Sequence, residues 1–199
     1  GSGAFAGCSN LETVELHYND AMINTSTSGV QPYSLSIGDN AFENDEKLTS
    51  INLTENVTSI GDYAFAGCTE MSSLTLPESL KELGYYVIRG TKISSITIPK
   101  NVTYSDSNSG NGAMAGALKL NTVIFEEGMT KIPNYICASG SYTSYITKVV
   151  IPDTVESIGS YAFYKCESLS IVSIPKQVAS MGSGAFAGCS NLETVELHY

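Results

Sequence analysis

Two glycine-rich segments could bind the phosphates of a dinucleotide. Residues 110–115 and residues 182–187 both read G-x-G-x-x-A, a pattern whose glycines let a backbone approach a pyrophosphate closely. That chemistry needs a strand before the glycines and a helix after them, within a βαβ unit of about 30 residues. Neither segment has that setting, because both lie at the same point of a shorter internal repeat. We therefore predict no cofactor.

Four of the five cysteines occupy one position of that repeat, and they are Cys8, Cys68, Cys166 and Cys189. Other copies place aspartate, threonine or alanine there, which is typical of a small core position, so buried free thiols are favoured. A disulfide between Cys166 and Cys189, in neighbouring copies, is the alternative, although side chains that point the same way fit its torsion angle poorly. No C-x-x-C pair is present, and we expect no zinc site.

An acidic cluster consists of Asp39, Glu43, Asp45 and Glu46. Calcium needs several converging oxygen ligands, and this segment lacks the glycine of an EF-hand loop, so we expect a solvated acidic surface and no metal site. The two histidines, His17 and His198, are copies of each other. We expect no serine or cysteine beside either of them, which leaves a nucleophile without a base. The sequence therefore predicts that the protein is not an enzyme.

The element that must position these residues is a repeat of 23 residues, with copies that begin at Ile37, Ile60 and Leu83, and again at Ile158 and Met181. Its pattern is I-G-x-x-A-F-x-x-C-x-x-L-x-x-I-x-I-P-x-x-V. Two weaker copies and a truncated first copy bring the count to eight units. One unit cannot bury its apolar side alone, so neighbouring units must stack.

Two adjacent columns of the repeat exchange volume. Where the phenylalanine is replaced by Ile88 or Cys137, the preceding alanine is replaced by the larger Val87 or Ile136. We interpret this as compensation within a packed layer.

The repeat predicts an α/β solenoid. The I-x-I-P word alternates apolar and polar residues, which predicts a short strand with one buried face. Proline ends the strand because it cannot donate to the ladder. The glycine after the first isoleucine suits a tight corner with positive φ, and the A-F-x-x-C spacing predicts a short helix or turn. We expect about eight stacked units with a parallel sheet on one face and short helices or turns opposite.

Residues 1–18 are identical to residues 182–199. We interpret residues 1–199 as a single domain cut from a longer array, with deliberate construction as the alternative. Neither end carries the polar cap that solenoids need. Two open apolar ends and end-to-end self-association are therefore predicted.

Composition excludes several classes of partner. The formal charge is −10, with Arg89 as the single arginine, so the chain repels nucleic acid and anionic lipid. No apolar run approaches the roughly 20 residues of a membrane span, and no signal peptide is recognisable. We expect neither nucleic-acid binding nor membrane insertion.

The pattern resembles the BspA-type leucine-rich repeat family of bacterial cell-surface proteins. The resemblance is clearest in IGDYAFAGCTEMSSLTLPESLKE, residues 60–82, and IGSYAFYKCESLSIVSIPKQVAS, residues 158–180. It implies a secreted or cell-surface protein that binds other proteins, such as host matrix components or proteins of neighbouring cells. It implies no conserved catalytic residue.

Binding residues are expected on the outward side of the sheet and in three insertions, at residues 18–34, 105–112 and 139–144. Outward positions are mostly serine and threonine, but three consecutive units place an apolar residue there. Together with two tyrosines in or beside the third insertion, these residues predict a partner-binding patch. The patch consists of Ile124, Val150, Ile171, Tyr142 and Tyr145. The alternative is that the insertion covers the three aliphatic residues and makes them local core.

These observations favour a non-catalytic, adhesin-like protein-binding module of a secreted or surface protein. The partner would be a protein, possibly from a host or a neighbouring cell. The alternative is a structural spacer or fibre element with no ligand of its own. A binding module should lose its partner when a loop is deleted, whereas a spacer has no partner to lose.

Overall fold

The computed structural model describes residues 1–16, 34–105 and 110–198. His17, nearly all of the first insertion and residues 106–109 of the second insertion lie outside these ranges. Fourteen short strands are present in the described residues. In chain order they are β1 (Thr13–Glu15), β2 (Leu35–Ile37), β3 (Ser50–Asn52), β4 (Val57–Ile60), β5 (Glu82–Leu83), β6 (Ser95–Ile98), β7 (Tyr104–Ser105), β8 (Thr122–Phe125), β9 (Lys131–Ile132), β10 (Lys148–Val150), β11 (Ser157–Ile158), β12 (Ile171–Ile174), β13 (Ser180–Met181) and β14 (Thr194–Leu197).

The strands β1, β3, β6, β8, β10, β12 and β14 lie side by side on the predicted parallel face, in three hydrogen-bonded segments, β1–β3, β6–β8–β10 and β12–β14. We call this face the front sheet. Its register pairs Thr13 with Ser50, Thr122 with Lys148, and Ile171 with Thr194. This is the alignment that the repeat predicts, so the outward and inward columns are confirmed. The ladder is interrupted between β10 and β12. It is also interrupted at residues 73–76, which form no regular strand although Leu74 and Leu76 stay buried.

A second parallel sheet runs along the solenoid, and the sequence analysis did not predict it. It consists of two hydrogen-bonded segments, β2–β4–β5–β7 and β9–β11–β13. The strands β2, β4, β5, β11 and β13 end directly before the corner glycine of their unit. Ile60 pairs with both Ile37 and Leu83, so the leading apolar residue of each unit occupies one column. Most turns of the solenoid therefore contribute a strand to both sheets, and the turn that contains residues 73–76 is the exception among the described residues.

The A-F-x-x-C segments form consecutive tight turns, so of the two predicted alternatives, short helices or turns, the described residues adopt turns and contain no helix. We call residues 61–68 and their equivalents the turn stack. Tyr63 and Gly67 both have positive φ, at 54° and 76°, which interrupts helical geometry twice within four residues. The N–H of Phe65 donates to Val87 O of the next turn at 2.9 Å. Hydrogen bonds between turns thus replace those of a helix.

The corner glycine is required for a different reason from the one predicted. Gly61 and its equivalents are absent from the residues with positive φ. A Cβ on Gly61 would instead lie 2.7 Å from the backbone nitrogen of Asp39 in the preceding turn. Close approach of two backbones, not left-handed conformation, therefore selects glycine here.

One apolar core extends through the stack from Ile37 to Ala185. The described residues make about six turns, not the eight units predicted. The difference arises because the first and last units are partial, and each supplies only a front strand beyond the last complete turn. Complete turns are counted between consecutive strands of the second sheet, and its seven strands define six of them. Phe5, Val195 and Leu197, on the outer faces of the partial units, are about half exposed in this chain. End-to-end self-association stays a prediction.

Candidate interaction surfaces

Three aliphatic side chains lie on the outward side of the front sheet, as the repeat register predicts. Val150 pairs with Ile124 across β8 and β10, and β12 with Ile171 lies beside β10. Ile171 is 53% exposed and Val150 is 37% exposed, whereas Ile124 is half-buried. The third insertion does not cover them, so the interpretation of Val150 and Ile171 as local core is wrong. We call these three residues the sheet patch.

Tyr142 and Tyr145 belong to a different surface, on the side of the turn stack. The Tyr142 ring meets the Tyr86 ring edge-on, with centroids 5.5 Å apart, and the Arg89 guanidinium lies 5.3 Å from its centre. Tyr145 and Leu118 line the same hollow as Tyr142. The prediction of one continuous patch is therefore corrected to two surfaces. We call Arg89, Leu118, Tyr142 and Tyr145 the Tyr142 cluster.

Hydrogen bonds hold the third insertion against the turn stack. The Ser139 hydroxyl donates to Tyr142 O at 2.9 Å, and Ser141 N donates to the Asn111 side chain at 2.9 Å. Gly140 N donates to Gly110 O at 3.1 Å. Asn111 and Ser139 are buried, so buried polar groups hold the insertion in place. This anchoring fixes where Tyr142 can lie.

Sequence reasoning missed Arg89 as a candidate, although its position carried a signal. Equivalent positions in the neighbouring turns hold Ala66 and Ala115, which are both buried, so a long charged side chain is unusual in this column. The Arg89 side chain is exposed, and its guanidinium lies over the rings of Tyr86 and Tyr142. Burial raises the pKa of the Tyr86 hydroxyl beneath it above the usual value, so the ring stays neutral under the guanidinium.

A serine–histidine pair contradicts the expectation that neither histidine has such a partner. Ser173 Oγ lies 2.6 Å from His198 Nε2. The register places Ser173 opposite Glu196, so His198, two residues further on, is its diagonal neighbour on the same face. Both side chains are exposed on a flat sheet. An acyl-transfer site also needs oriented donors for the oxyanion and exclusion of water, and the pair lies in no such setting.

The cysteines are all free, and the alternative disulfide between Cys166 and Cys189 is absent. Cys68 and Cys166 are fully buried, and Cys189 is half-buried, as predicted, but Cys8 in the first unit is exposed. The Cys68 thiol donates to Phe42 O of the preceding turn at 3.1 Å. Burial raises the pKa of Cys68 to about 12, so this thiol is unreactive at neutral pH.

Asp45 is buried, which corrects the prediction of a solvated surface at this member of the acidic cluster. It occupies the cysteine column, where Cys68 and Thr91 both donate a hydrogen bond to a backbone carbonyl. Asp45 Oδ1 accepts from Cys8 N at 2.6 Å, while Oδ2 has no partner among the described residues. Desolvation raises the pKa of Asp45 above its usual value, and the N–H groups of Cys8 and Gly7 offset part of the rise.

Replacing Asp45 by asparagine is expected to stabilise the fold at neutral pH by about 1 kcal/mol, because a buried charge is removed while an acceptor for Cys8 N–H is kept. Since the folded pKa of Asp45 is raised, the wild-type chain loses stability as pH rises from the unfolded pKa, about 3.9, through the folded pKa. Urea unfolding across this range measures the effect. The advantage of Asp45→Asn should vanish below the unfolded pKa, and an advantage equal at all pH values would contradict a charge effect. Asp153→Asn, at an exposed site, is the control.

Two other acidic side chains of the cluster accept hydrogen bonds within the turn stack. Asp39 Oδ1 accepts from Asp62 N at 3.0 Å, one turn further on, and Asn40 Nδ2 donates to Glu43 at 2.7 Å. Within the described residues, no group of three or more histidine, cysteine or acidic side chains could hold a metal ion. The same part of the chain contains no helix suited to crossing a membrane.

Solved structures of bacterial leucine-rich repeat proteins resemble this solenoid. A protein from T. pallidum is 23% identical over 92% of this chain and 68% of its own length, with a TM-score of 0.51, which supports the fold. One from Bacteroides ovatus is 25% identical over 98% of this chain, with a TM-score of 0.49. The chain spans 57% of the length of that protein. No curated protein sequence matches this chain significantly.

The repeat itself matches a family model. The BspA type leucine-rich repeat region matches in six copies over residues 35–143 and 141–199. These ranges cover most of the chain, including both sheets and the turn stack from β2 onwards. The chain therefore belongs to the BspA-type leucine-rich repeat family.

Proposed function

We propose that this chain is a non-catalytic protein-binding module of a secreted or cell-surface bacterial protein. The leucine-rich repeats of this family occur in bacterial surface proteins, and the fold is compatible with an interaction role or a structural role. The fold is typically non-catalytic. The observation that favours interaction is the sheet patch, because a pure spacer has no need of exposed aliphatic residues on a polar face.

The sheet patch suits the centre of a small interface. Apart from its three residues, the two outward columns of the front sheet are mostly serine and threonine, which pack poorly against a partner. Val150 and Ile171 lie on neighbouring strands, so a partner can bury both at once. Interfaces gain most of their affinity from a few central residues that exclude water. The anchored insertion adds a second surface, at the turn stack.

The test is a double variant, Val150→Ser with Ile171→Ser. Immobilised chain is exposed to surface-protein extract from host cells, and the captured proteins are quantified for the wild type and the variant. We expect at least one wild-type partner to be lost by the variant, while the free energy of unfolding changes little because both sites are exposed. The control is Asn52→Ser, on the same outward face at the other end of the sheet.

The alternative role, a structural spacer, makes the opposite prediction. No protein would be captured by the wild type above the level of the double variant. A large loss of stability in the double variant would instead assign the sheet patch to the core. Either outcome overturns the proposed binding site.

A further inference from the structure

Arg89 is the single arginine of a chain whose net charge is −10. Its guanidinium lies 5.3 Å from the centre of the Tyr142 ring and 6.0 Å from that of Tyr86. Within the described residues it forms neither an ion pair nor a side-chain hydrogen bond. The two rings therefore restrict the guanidinium by cation–π contact, while its N–H donors remain available to a ligand.

An apolar hollow lies beside this guanidinium. It has a volume of about 160 Å³ and is lined by Gly116, Leu118, Tyr142, Thr143 and Tyr145. Leu118 is 52% exposed and Tyr145 is 46% exposed. Leu118 occupies the same repeat column as Glu167, and Tyr145 occupies the same column as Lys119 and Ser168. Two apolar residues in neighbouring columns that are otherwise polar or charged leave room for one aliphatic side chain of a ligand.

The charges around the hollow contrast with those of the whole chain. Lys119 follows Leu118 directly and is exposed. Lys165 lines an adjoining hollow of about 240 Å³ on the other side of Tyr142, where its Nζ donates to Gly140 O at 3.0 Å. Glu167 is the one carboxylate among the residues that line these two hollows. A negatively charged segment, repelled elsewhere, is attracted to this surface.

We propose that the Tyr142 cluster binds an acidic peptide segment in which a glutamate or aspartate stands next to an aliphatic residue. The carboxylate accepts paired hydrogen bonds from Arg89, whose planar fork matches its two oxygens. The aliphatic side chain packs against Leu118, Tyr142 and Tyr145. This inference rests on the proposed binding role and names the chemistry of one partner, at a surface separate from the sheet patch.

Leu118 favours a peptide ligand over an acidic polysaccharide. A uronic-acid sugar presents a carboxylate and hydroxyl groups but no aliphatic side chain to fill the hollow. Its binding would depend on Arg89 and not on Leu118. The two classes of ligand therefore respond differently to one substitution.

The probes are three labelled peptides with blocked ends, GELEG, GQLQG and GEAEG, and a galacturonate oligosaccharide. Fluorescence anisotropy measures their binding to the wild-type chain. We expect GELEG to bind roughly tenfold or more tightly than either other peptide, and to weaken as salt is raised. Arg89→Gln should remove the preference for GELEG over GQLQG. Leu118→Ser should remove the preference for GELEG over GEAEG.

Controls separate binding from folding. Lys100→Gln removes an exposed cation that is 3.5 Å from Glu78, outside the cluster, and should leave GELEG binding unchanged. Unfolding curves accompany each variant, because Arg89 packs on two rings. Arg89→Lys keeps the charge without the fork and should give intermediate affinity.

Three outcomes would overturn the inference: equal affinity for GELEG and GQLQG, binding unaffected by Arg89→Gln at unchanged stability, or binding of galacturonate alone. None of them bears on the sheet patch. If the sheet-patch variant still loses a captured protein, the proposed function stands and the peptide chemistry fails. If peptides bind as described but no partner depends on the sheet patch, the peptide chemistry stands and the proposed binding role of the sheet patch fails.

Discussion

Gly84→Ala is expected to lower the free energy of unfolding by about 3 kcal/mol, because added volume meets backbone that cannot move. A Cβ at residue 84 would lie 2.5 Å from the backbone nitrogen of Asp62 and 2.6 Å from the carbonyl carbon of Gly61. These atoms are fixed by hydrogen bonds between turns. Gly84 N donates to Ile60 O at 2.8 Å, and Tyr85 N donates to Asp62 Oδ1 at 3.0 Å. Urea unfolding measures the loss.

Gly90→Asn is the matched control, since this glycine is selected by conformation and not by crowding. Its φ is +78°, and a Cβ there would meet nothing nearer than 3.5 Å. Asn44 occupies the equivalent position of another turn with a φ of 63°. We expect a cost below about 1 kcal/mol. A similar loss of unfolding free energy for both variants would contradict this distinction, in which crowding selects glycine at residue 84 and positive φ selects it at residue 90.

The repeat and the front sheet could be predicted because both depend on spacing alone. Steps of 23 residues align Ile60 with Ile37 and with Leu83, and a parallel ladder pairs equivalent residues whatever the connecting loops do. The period-two alternation before each proline then fixes which residues point outward. For this reason Val150 and Ile171 were placed correctly without any knowledge of the third insertion.

The turn stack could not be predicted, because its conformation opposes local preference. Tyr63, Tyr86, Tyr135 and Tyr161 all have φ near +55°, a region that sequence rules assign to glycine and asparagine. Each such residue costs free energy, and the conformation persists because the surroundings over-determine it. Hydrogen bonds from one turn to the next supply that constraint, and a single unit cannot form them. The A-F-x-x-C spacing looked helical for the same reason, since two tight turns also bring such residues to one side.

The Tyr142 cluster could not be predicted from the repeat pattern, for another reason. Residues 139–144 have no register, so their spacing says nothing about which face they join. Their position follows from Asn111 and Ser139, polar residues whose burial the pattern did not indicate. Arg89, in contrast, had a register position from the start. Its role depends on the insertion, which brings the Tyr142 ring to 5.3 Å from the guanidinium.

Phe65→Ala is expected to cost about 3–5 kcal/mol, the second large effect. Phe65 is fully buried and stacks on Phe42 with ring centroids 5.4 Å apart. Each turn of a solenoid contacts only its neighbours, so a cavity in one turn weakens its interfaces on both sides. Phe5→Ala is the control in the same column, because Phe5 is 48% exposed in the first unit. It should cost far less, and urea unfolding compares the two.

A rescue variant tests whether volume or aromaticity matters at Phe65. The next turn fills the same two columns with Val87 and Ile88, both buried. Ala64→Val combined with Phe65→Ile copies that pair and should recover most of the stability lost in Phe65→Ala, since cores tolerate changes that conserve total volume. If the double variant is no more stable than Phe65→Ala, volume exchange between these columns is wrong. The stacked rings of Phe5, Phe42 and Phe65 would then be required as aromatic pairs.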